Sequence, residues 1–237
     1  MRFSSLICTI LFLFCLTGCS GAGTENLELG MADIQNEKYE DALQKFEKAE
    51  KLGEDPELVC RGKGIARMGL ADYEGAATDL TQALSECRGS VTDLEYDISF
   101  YLAVAQFRSG NLAGAIDTYD AILDLDRNNP DAYYLRGKTK LSMGNKDEAL
   151  RDFNAAIRFD SSNPDLYINV YECMADAGYA EEGETFLKSA MQLTHINGFQ
   201  KGKLYYWMGD YDSAKSALEE ARGDGSDESV ILYLGKT

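Results

Sequence analysis

The chain has 237 residues, with 40 acids against 23 lysines and arginines and a single histidine, for a formal net charge of −17. Acidity on this scale repels nucleic acid and anionic lipid headgroups, so neither is an expected partner of the folded chain. One histidine leaves little material for a histidine base or a His-rich metal site, and the cysteines after residue 19 form no CxxC pair, which argues against zinc and dithiol redox motifs.

The first element is the segment MRFSSLICTILFLFCLTGC. Arg2 precedes an apolar run from Leu6 to Leu16, too short for a stable transmembrane helix and laid out like a secretion signal. Leu16-Thr17-Gly18-Cys19 resembles the bacterial lipobox, in which small residues admit a peptidase and the cysteine thiol receives a diacylglycerol. The alternatives are an ordinary signal peptide with a chance cysteine and an uncleaved anchor helix. The expectation is a signal peptide over 1–18, lipidation at Cys19 and a short flexible tether over 19–24, with the mature protein on the outer face of a bacterial membrane. Removal of 1–18 takes away Arg2 and no acid, which makes the net charge one unit more negative. Residues 20–24 reach on the order of 12 Å as a flexible coil, so the first folded unit stays near the membrane. Membrane contact is expected through the lipid alone.

From residue 25 onward an internal repeat organises the chain. Small residues recur twelve apart at Gly30/Ala42, Gly64/Ala76, Ala103/Ala115, Gly137/Ala149 and Gly202/Ala214, while Tyr171/Gly183 keeps the spacing with the sizes reversed. A large apolar residue follows four positions after each second member, at Phe46, Leu80, Tyr119, Phe153, Leu187 and Leu218. First members are separated by 34, 39, 34, 34 and 31 residues, and Gly235 follows after 33 more. Twelve residues with a turn between them place two small side chains opposite each other in an antiparallel helix pair, and the later apolar positions cover that contact. Turn residues such as Ser109-Gly110-Asn111 and Gly144-Asn145 separate the two helices, and Asp55-Pro56, Asn129-Pro130 and Asn163-Pro164 separate successive pairs. Tyr171 with Gly183 reads as a volume-conserving exchange, the ring filling the space the missing methyl leaves.

This pattern resembles the tetratricopeptide repeat family over nearly the whole mature chain, and the clearest unit is DAYYLRGKTKLSMGNKDEALRDFNAAIRFDSSNP at 131–164. The resemblance implies an all-α fold: a right-handed α-α superhelix, or solenoid, of about six antiparallel hairpins plus a partial seventh. The repeats fall at about 25–56, 57–90, 96–129, 130–163, 164–194, 195–227 and 228–237. Three departures stand out: Tyr171 at a small position, a longer loop around Gly89–Glu95, and a short unit after Pro164. The apolar run Val230–Leu234 reads either as a half-repeat cap or as the start of a continuing array.

Several motifs resemble chemistry and fail at a named residue. Gly235-Lys236-Thr237 lacks the upstream glycine of a phosphate loop, with Val230 in its place. Asp124–Asn128 starts like a calcium loop but has Asn129 at the turn and Leu135 at the twelfth position. No nucleophile–base pair is visible, so no enzymatic activity, cofactor or metal is expected. Cys60 and Cys87 lie on the same side of one hairpin, leaving open a disulfide or two free thiols.

Function is expected from the concave side, which the first helices of stacked hairpins line. The groove candidates are Met31, Ile65, Met68, Phe100, Val104, Phe107, Tyr134, Lys138, Leu141, Phe199, Lys203 and Tyr206. An apolar, aromatic-rich groove suits a protein or peptide partner of unknown identity. The alternative is a glycan or small-ligand receptor using the aromatics as stacking platforms. Some members of the family hold a C-terminal carboxylate in a Lys/Asn/Arg clamp. Here the corresponding positions are Tyr134, Lys138, Asn169, Ile196 and Gln200, of which only Lys138 and Asn169 fit, so no such clamp is expected.

Overall fold

The computed structural model describes residues 24–87 and 93–222, together with Tyr233 and Gly235. The signal segment, Cys19 and most of the tether, the loop over 88–92 and nearly all of the partial seventh unit lie outside the described residues. The described residues form twelve helices and no strand: α1 (Glu25–Gln35), α2 (Tyr39–Lys51), α3 (Pro56–Gly69), α4 (Tyr73–Glu86), α5 (Asp93–Arg108), α6 (Leu112–Leu125), α7 (Pro130–Ser142), α8 (Lys146–Phe159), α9 (Pro164–Asp176), α10 (Ala180–Ala190), α11 (Gly198–Trp207) and α12 (Tyr211–Glu220). They pair α1 with α2, α3 with α4 and so on, each hairpin stacking on the next, which makes an all-α solenoid.

The punctuation that starts and stops these helices is chemical. Asp55, Asn129 and Asn163 accept backbone N–H groups of the first turns of α3, α7 and α9, each with proline at the first helical position. Asp72, Asn111 and Asp210 do the same for α4, α6 and α12, and Asn197 with Gln200 closes a reciprocal capping box on α11. The turn inside each hairpin needs one residue in the left-handed region. Gly110, Gly144, Gly178 and Gly209 supply it at φ of 79–87°, and Glu37 and Ala71 take the same place in the first two hairpins at 58° and 61°.

The repeat rests on a small-to-large interlock. The second small residues Ala42, Ala76, Ala115, Ala149 and Ala214 are fully buried, as expected. The space beside each recurring first-helix glycine, Gly30, Gly64, Gly137 and Gly202, is taken by the large residue sixteen positions on. A Cβ on Gly30 would stand 2.7 Å from the Phe46 ring, one on Gly64 2.6 Å from Leu80, one on Gly137 2.9 Å from Phe153 and one on Gly202 2.5 Å from Leu218. The Phe46 ring is held between two hairpins, since a Cβ on Gly62 of the next hairpin would lie only 2.4 Å from it. In the fifth hairpin the exchange holds, with the Tyr171 ring 3.1 Å from where a Gly183 Cβ would sit.

Large side chains change the packing from that point. Ile168, Val170, Tyr171 and Met174 of α9 join Phe153, Phe186, Leu187 and Leu204 in one core running through the last three hairpins, whereas the first three carry separate smaller cores. α8 and α9 approach less closely than α2 and α3 do, and a hollow of about 480 Å³ opens between α8 and α10 over Tyr167 and Phe186.

A second repeated feature is polar. Buried Asp152 of α8 accepts from Arg136 Nε at 2.9 Å and Nη2 at 2.6 Å and from Lys140 Nζ at 2.8 Å. The equivalent Asp79 of α4 lies 3.8 Å from Lys63 Nζ and 3.1 Å from Arg67 Nη1, but Arg67 directs that nitrogen to the Gly75 carbonyl and Asp79 Oδ2 receives no hydrogen bond. Burial raises the Asp79 carboxyl above its ordinary value, with Arg67 and Lys63 pulling it back. The third hairpin puts a neutral pair at the same place, Thr118 Oγ1 donating to Gln106 Oε1 at 2.8 Å, and the fifth fills it with Met174 and Phe186.

Cys60 and Cys87 are free thiols in one apolar cluster, so the bridge alternative is not the one the structure holds. The Cys87 thiol donates to the Ala83 carbonyl at 3.3 Å.

The two features give two stability predictions. Gly62→Ala must displace an aromatic ring held between two hairpins, and its overpacking of roughly 1–3 kcal/mol exceeds the gain of about 1 kcal/mol in helix propensity. Gly183→Ala meets contacts that need to give by only a few tenths of an ångström, so it should stay within about 1 kcal/mol of the parent. Urea unfolding of both variants checks the ordering. Asp152→Asn breaks a fully bonded buried ion triad and should cost about 3 kcal/mol at neutral pH. Asp79→Asn should cost much less. A carboxyl raised by burial is least favourable to the fold when ionised, so its contribution worsens as pH rises above the ordinary carboxylate value and an amide relieves it. Equal losses in the two Asp variants would contradict this account.

Candidate partner-binding groove

The first helices α1, α3, α5, α7, α9 and α11 lie side by side along one face, with α1 against α3, α3 against α5, α7 against α9 and α9 against α11. Their side chains divide into those that fill the joints between hairpins and those left over. Met31, Ile65 and Met68 remain half-buried, as do Phe100, Val104 and Phe107 of α5. Lys138, Phe199, Lys203 and Tyr206 are half-buried too.

Tyr134 and Leu141 are corrected: they are 8% and 5% exposed and belong to the core rather than to the groove. The Tyr134 ring lies 6.0 Å from that of Phe153, and its hydroxyl donates to the Asn169 carbonyl at 3.5 Å. The reason is the larger α9 beside them, whose bulky residues draw the side chains of α7 into the joint. An acid at Tyr134 would therefore disrupt the core instead of testing the groove.

The floor of the groove carries polar ties between neighbouring first helices that sequence reasoning missed. Arg61 of α3 donates from Nε to Asp97 Oδ2 of α5 at 2.6 Å, with its guanidinium 5.6 Å from the Tyr101 ring centroid. Lys203 of α11 pairs with Asp165 of α9, which also accepts from Gln200 Nε2 at 2.6 Å. Glu172 of α9 accepts from Trp207 Nε1 at 2.9 Å and from the Tyr233 hydroxyl at 3.2 Å. The only signal in the sequence was opposite polarity about one repeat apart, which acquires meaning once the stacking register is known. Lys138 takes a different position, with Nζ 6.0 Å from the Phe107 ring centroid on the neighbouring first helix.

Burial raises the Cys60 thiol and pushes those of Cys87 and Cys173 up to about 11, so all three stay protonated at neutral pH and are weak nucleophiles. Among the described residues no group of three or more His, Cys, Asp or Glu is placed to hold a metal ion, and no helix is long and apolar enough to cross a membrane.

Family models described as tetratricopeptide repeat match residues 61–132, 130–163 and 198–223, together more than half of the chain. No curated protein matches. Among solved structures, the tetratricopeptide repeat protein from Parabacteroides merdae ATCC 43184 is 17% identical with a TM-score of 0.61, covering 89% of this chain and 82% of that one. The crystal structure of MamA is 20% identical with a TM-score of 0.57, over 69% of this chain and 92% of that one. YrrB, reported as a TPR protein with an unusual peptide-binding site, is 18% identical with a TM-score of 0.56, over 83% and 92%. Identities this low carry the fold alone, but the family models, the twelve paired helices and the repeated interlock agree that the chain belongs to the tetratricopeptide repeat family.

Proposed function

We propose that the chain is a protein–protein interaction scaffold of the bacterial cell envelope. It is held to the membrane by a lipid on Cys19 and receives a peptide or helix of a partner protein along its first helices. The observation that carries the groove is the row Met31, Ile65, Met68, Val104 and Phe107. These residues are apolar, lie on three successive first helices, and stay half-buried after the hairpins have stacked. Side chains of that kind cover a core only in part and gain further burial from a ligand. The fold relative YrrB, reported with a peptide-binding site, supports the same class of ligand. A glycan is the weaker reading. The aromatics at the far end, Phe199, Tyr206, Trp207, Tyr211 and Tyr233, meet edge to face with centroids 5.1–5.9 Å apart, so neighbouring rings occupy many of the faces on which a sugar would stack. The anchor rests on the lipobox-like Leu16-Thr17-Gly18-Cys19 following a short apolar run.

Crosslinking in the native host followed by mass spectrometry identifies the partner. Phe107→Glu should then lower its capture by roughly tenfold or more, as burial of a charge at an interface anchor does, with the thermal melt of the array retained. Undiminished capture by both Phe107→Glu and Ile65→Glu would rule the groove out. For the anchor, metabolic labelling with a palmitate analogue should mark the parent protein and leave Cys19→Ala unlabelled; equal labelling of both would place the lipid elsewhere.

A further inference from the structure

We propose that the loop Lys51-Leu52-Gly53 at the connection between the first two hairpins, with Leu125 at the corresponding place two hairpins on, is a membrane-contacting surface that rests on the lipid bilayer. This inference builds on the anchor reading above and adds to it an orientation, in place of the expectation that membrane contact runs through the lipid alone.

The starting observation is the point at which the tether leaves the fold. The first helix begins at Glu25 beside the connection between α2 and α3, because buried Glu54 fastens them together: its Oε1 accepts from Asn26 Nδ2 at 2.8 Å and its Oε2 from the Leu27 backbone N–H at 3.1 Å. The exit of the tether and the loop at 51–53 are thus one locally rigid unit. Five residue steps from Cys19 to Thr24 reach at most about 18 Å when fully extended. The turn at 36–38 lies at the other end of the 11-residue α1, about 17 Å from that exit, so the near edge is the part of the first hairpin that the tether holds closest to the anchor.

The side chains of the loop beside the tether suit that location. Leu52 is 64% exposed, the most exposed large apolar residue among those described, and no packing within the array accounts for it. Lys48 and Lys51, both exposed, occupy the last turn of α2 immediately before it. Long basic side chains can extend to headgroup phosphates while an adjacent leucine enters the interface. Leu125, 54% exposed at the end of α6, occupies the corresponding place two hairpins on, where first helices again begin. The overall negative charge opposes attraction to anionic lipid at a distance. Contact on this edge therefore follows from tethering and apolar insertion, and it should be present on zwitterionic bilayers.

The single tryptophan of the chain makes the test clean. In a Trp207→Phe background, one reporter is Leu52→Trp on the near edge and the other is Lys38→Trp on the far edge of the same hairpin. Lys51→Trp supplies a second near-edge position should Leu52→Trp fold poorly. Each full-length lipoprotein, purified from host membranes, is reconstituted into phosphatidylcholine vesicles with or without bromine on the acyl chains. The near-edge reporters should lose emission by roughly twofold in brominated vesicles, as expected of a side chain inserted at the acyl boundary, and Lys38→Trp should be nearly unaffected. A protein that carries the diacylglycerol mass and floats with the vesicles, yet shows equal quenching at the two edges or none at either, overturns the contact surface and leaves the anchor standing. A protein that lacks that mass and does not float overturns the anchor and the edge together.

Discussion

Every later property of this molecule depends on a void filled from the neighbouring helix. Where the first helix of a hairpin has the recurring glycine, at Gly30, Gly64, Gly137 and Gly202, its partner helix inserts a ring or a leucine, and the approach is so close that an added methyl would overlap the inserted group. The gain is apolar area removed from water, about 2–3 kcal/mol for each fully buried Phe or Leu. A lone hairpin would realise it only in part where the inserted side chain also packs on the next hairpin. Phe46 shows the requirement directly, since its ring meets both Gly30 of its own hairpin and Gly62 of the next. Stability thus resides in the contacts between neighbours, the regime in which stacked repeats become a single cooperative body.

The interlock also explains how the repeats can diverge elsewhere. The position linking the two helices of a hairpin on their flank holds a saturated ion triad at Asp152, an under-bonded one at Asp79, a neutral hydrogen bond at Thr118 and Gln106, and an apolar pair at Met174 and Phe186. Four solutions coexist at equivalent places because each closes the flank of a pair whose spacing is already set by the small-to-large contact. Net contributions of such polar groups to stability are modest compared with the penalty for leaving one of them unmatched, so satisfaction is constrained while chemical type is free.

Much of the fold was legible in the sequence because the interlock is local. Twelve- and sixteen-residue separations fall within one hairpin, so Gly30, Ala42 and Phe46, or Gly137, Ala149 and Phe153, announce it without knowledge of anything distant. The compensation between Tyr171 and Gly183 was legible on the same ground. The groove was less so. Whether Tyr134 is exposed depends on the volume contributed by α9, a full repeat away, and the spacing rule that nominated Tyr134 and Leu141 with Phe107 takes no account of that volume. The ties of Arg61 to Asp97 and of Lys203 to Asp165 escaped for the same reason. The left-handed turn positions of Glu37 and Ala71 were hidden differently, since their residue types do not favour the conformation that the geometry of the turn imposes.

These ties bear on what the groove can offer. Arg61 and Lys203 each spend their charge on a carboxylate of an adjacent first helix, and Glu172 is occupied by two donors from the sixth and seventh units. They hold the spacing of first helices that the interlock between hairpins sets only indirectly. A partner entering there meets polar groups already satisfied and gains little from displacing them, because each displaced group would have to be matched again. What remains unspent is the half-buried apolar row of the first three hairpins, and beside it Lys138 over the Phe107 ring. Binding energy should accordingly concentrate toward the amino-terminal half of the array, the half that a lipid on Cys19 would hold nearest the bilayer. A partner that is itself at the membrane surface would meet this row with little loss of orientational freedom, so even a short apolar segment could suffice for capture.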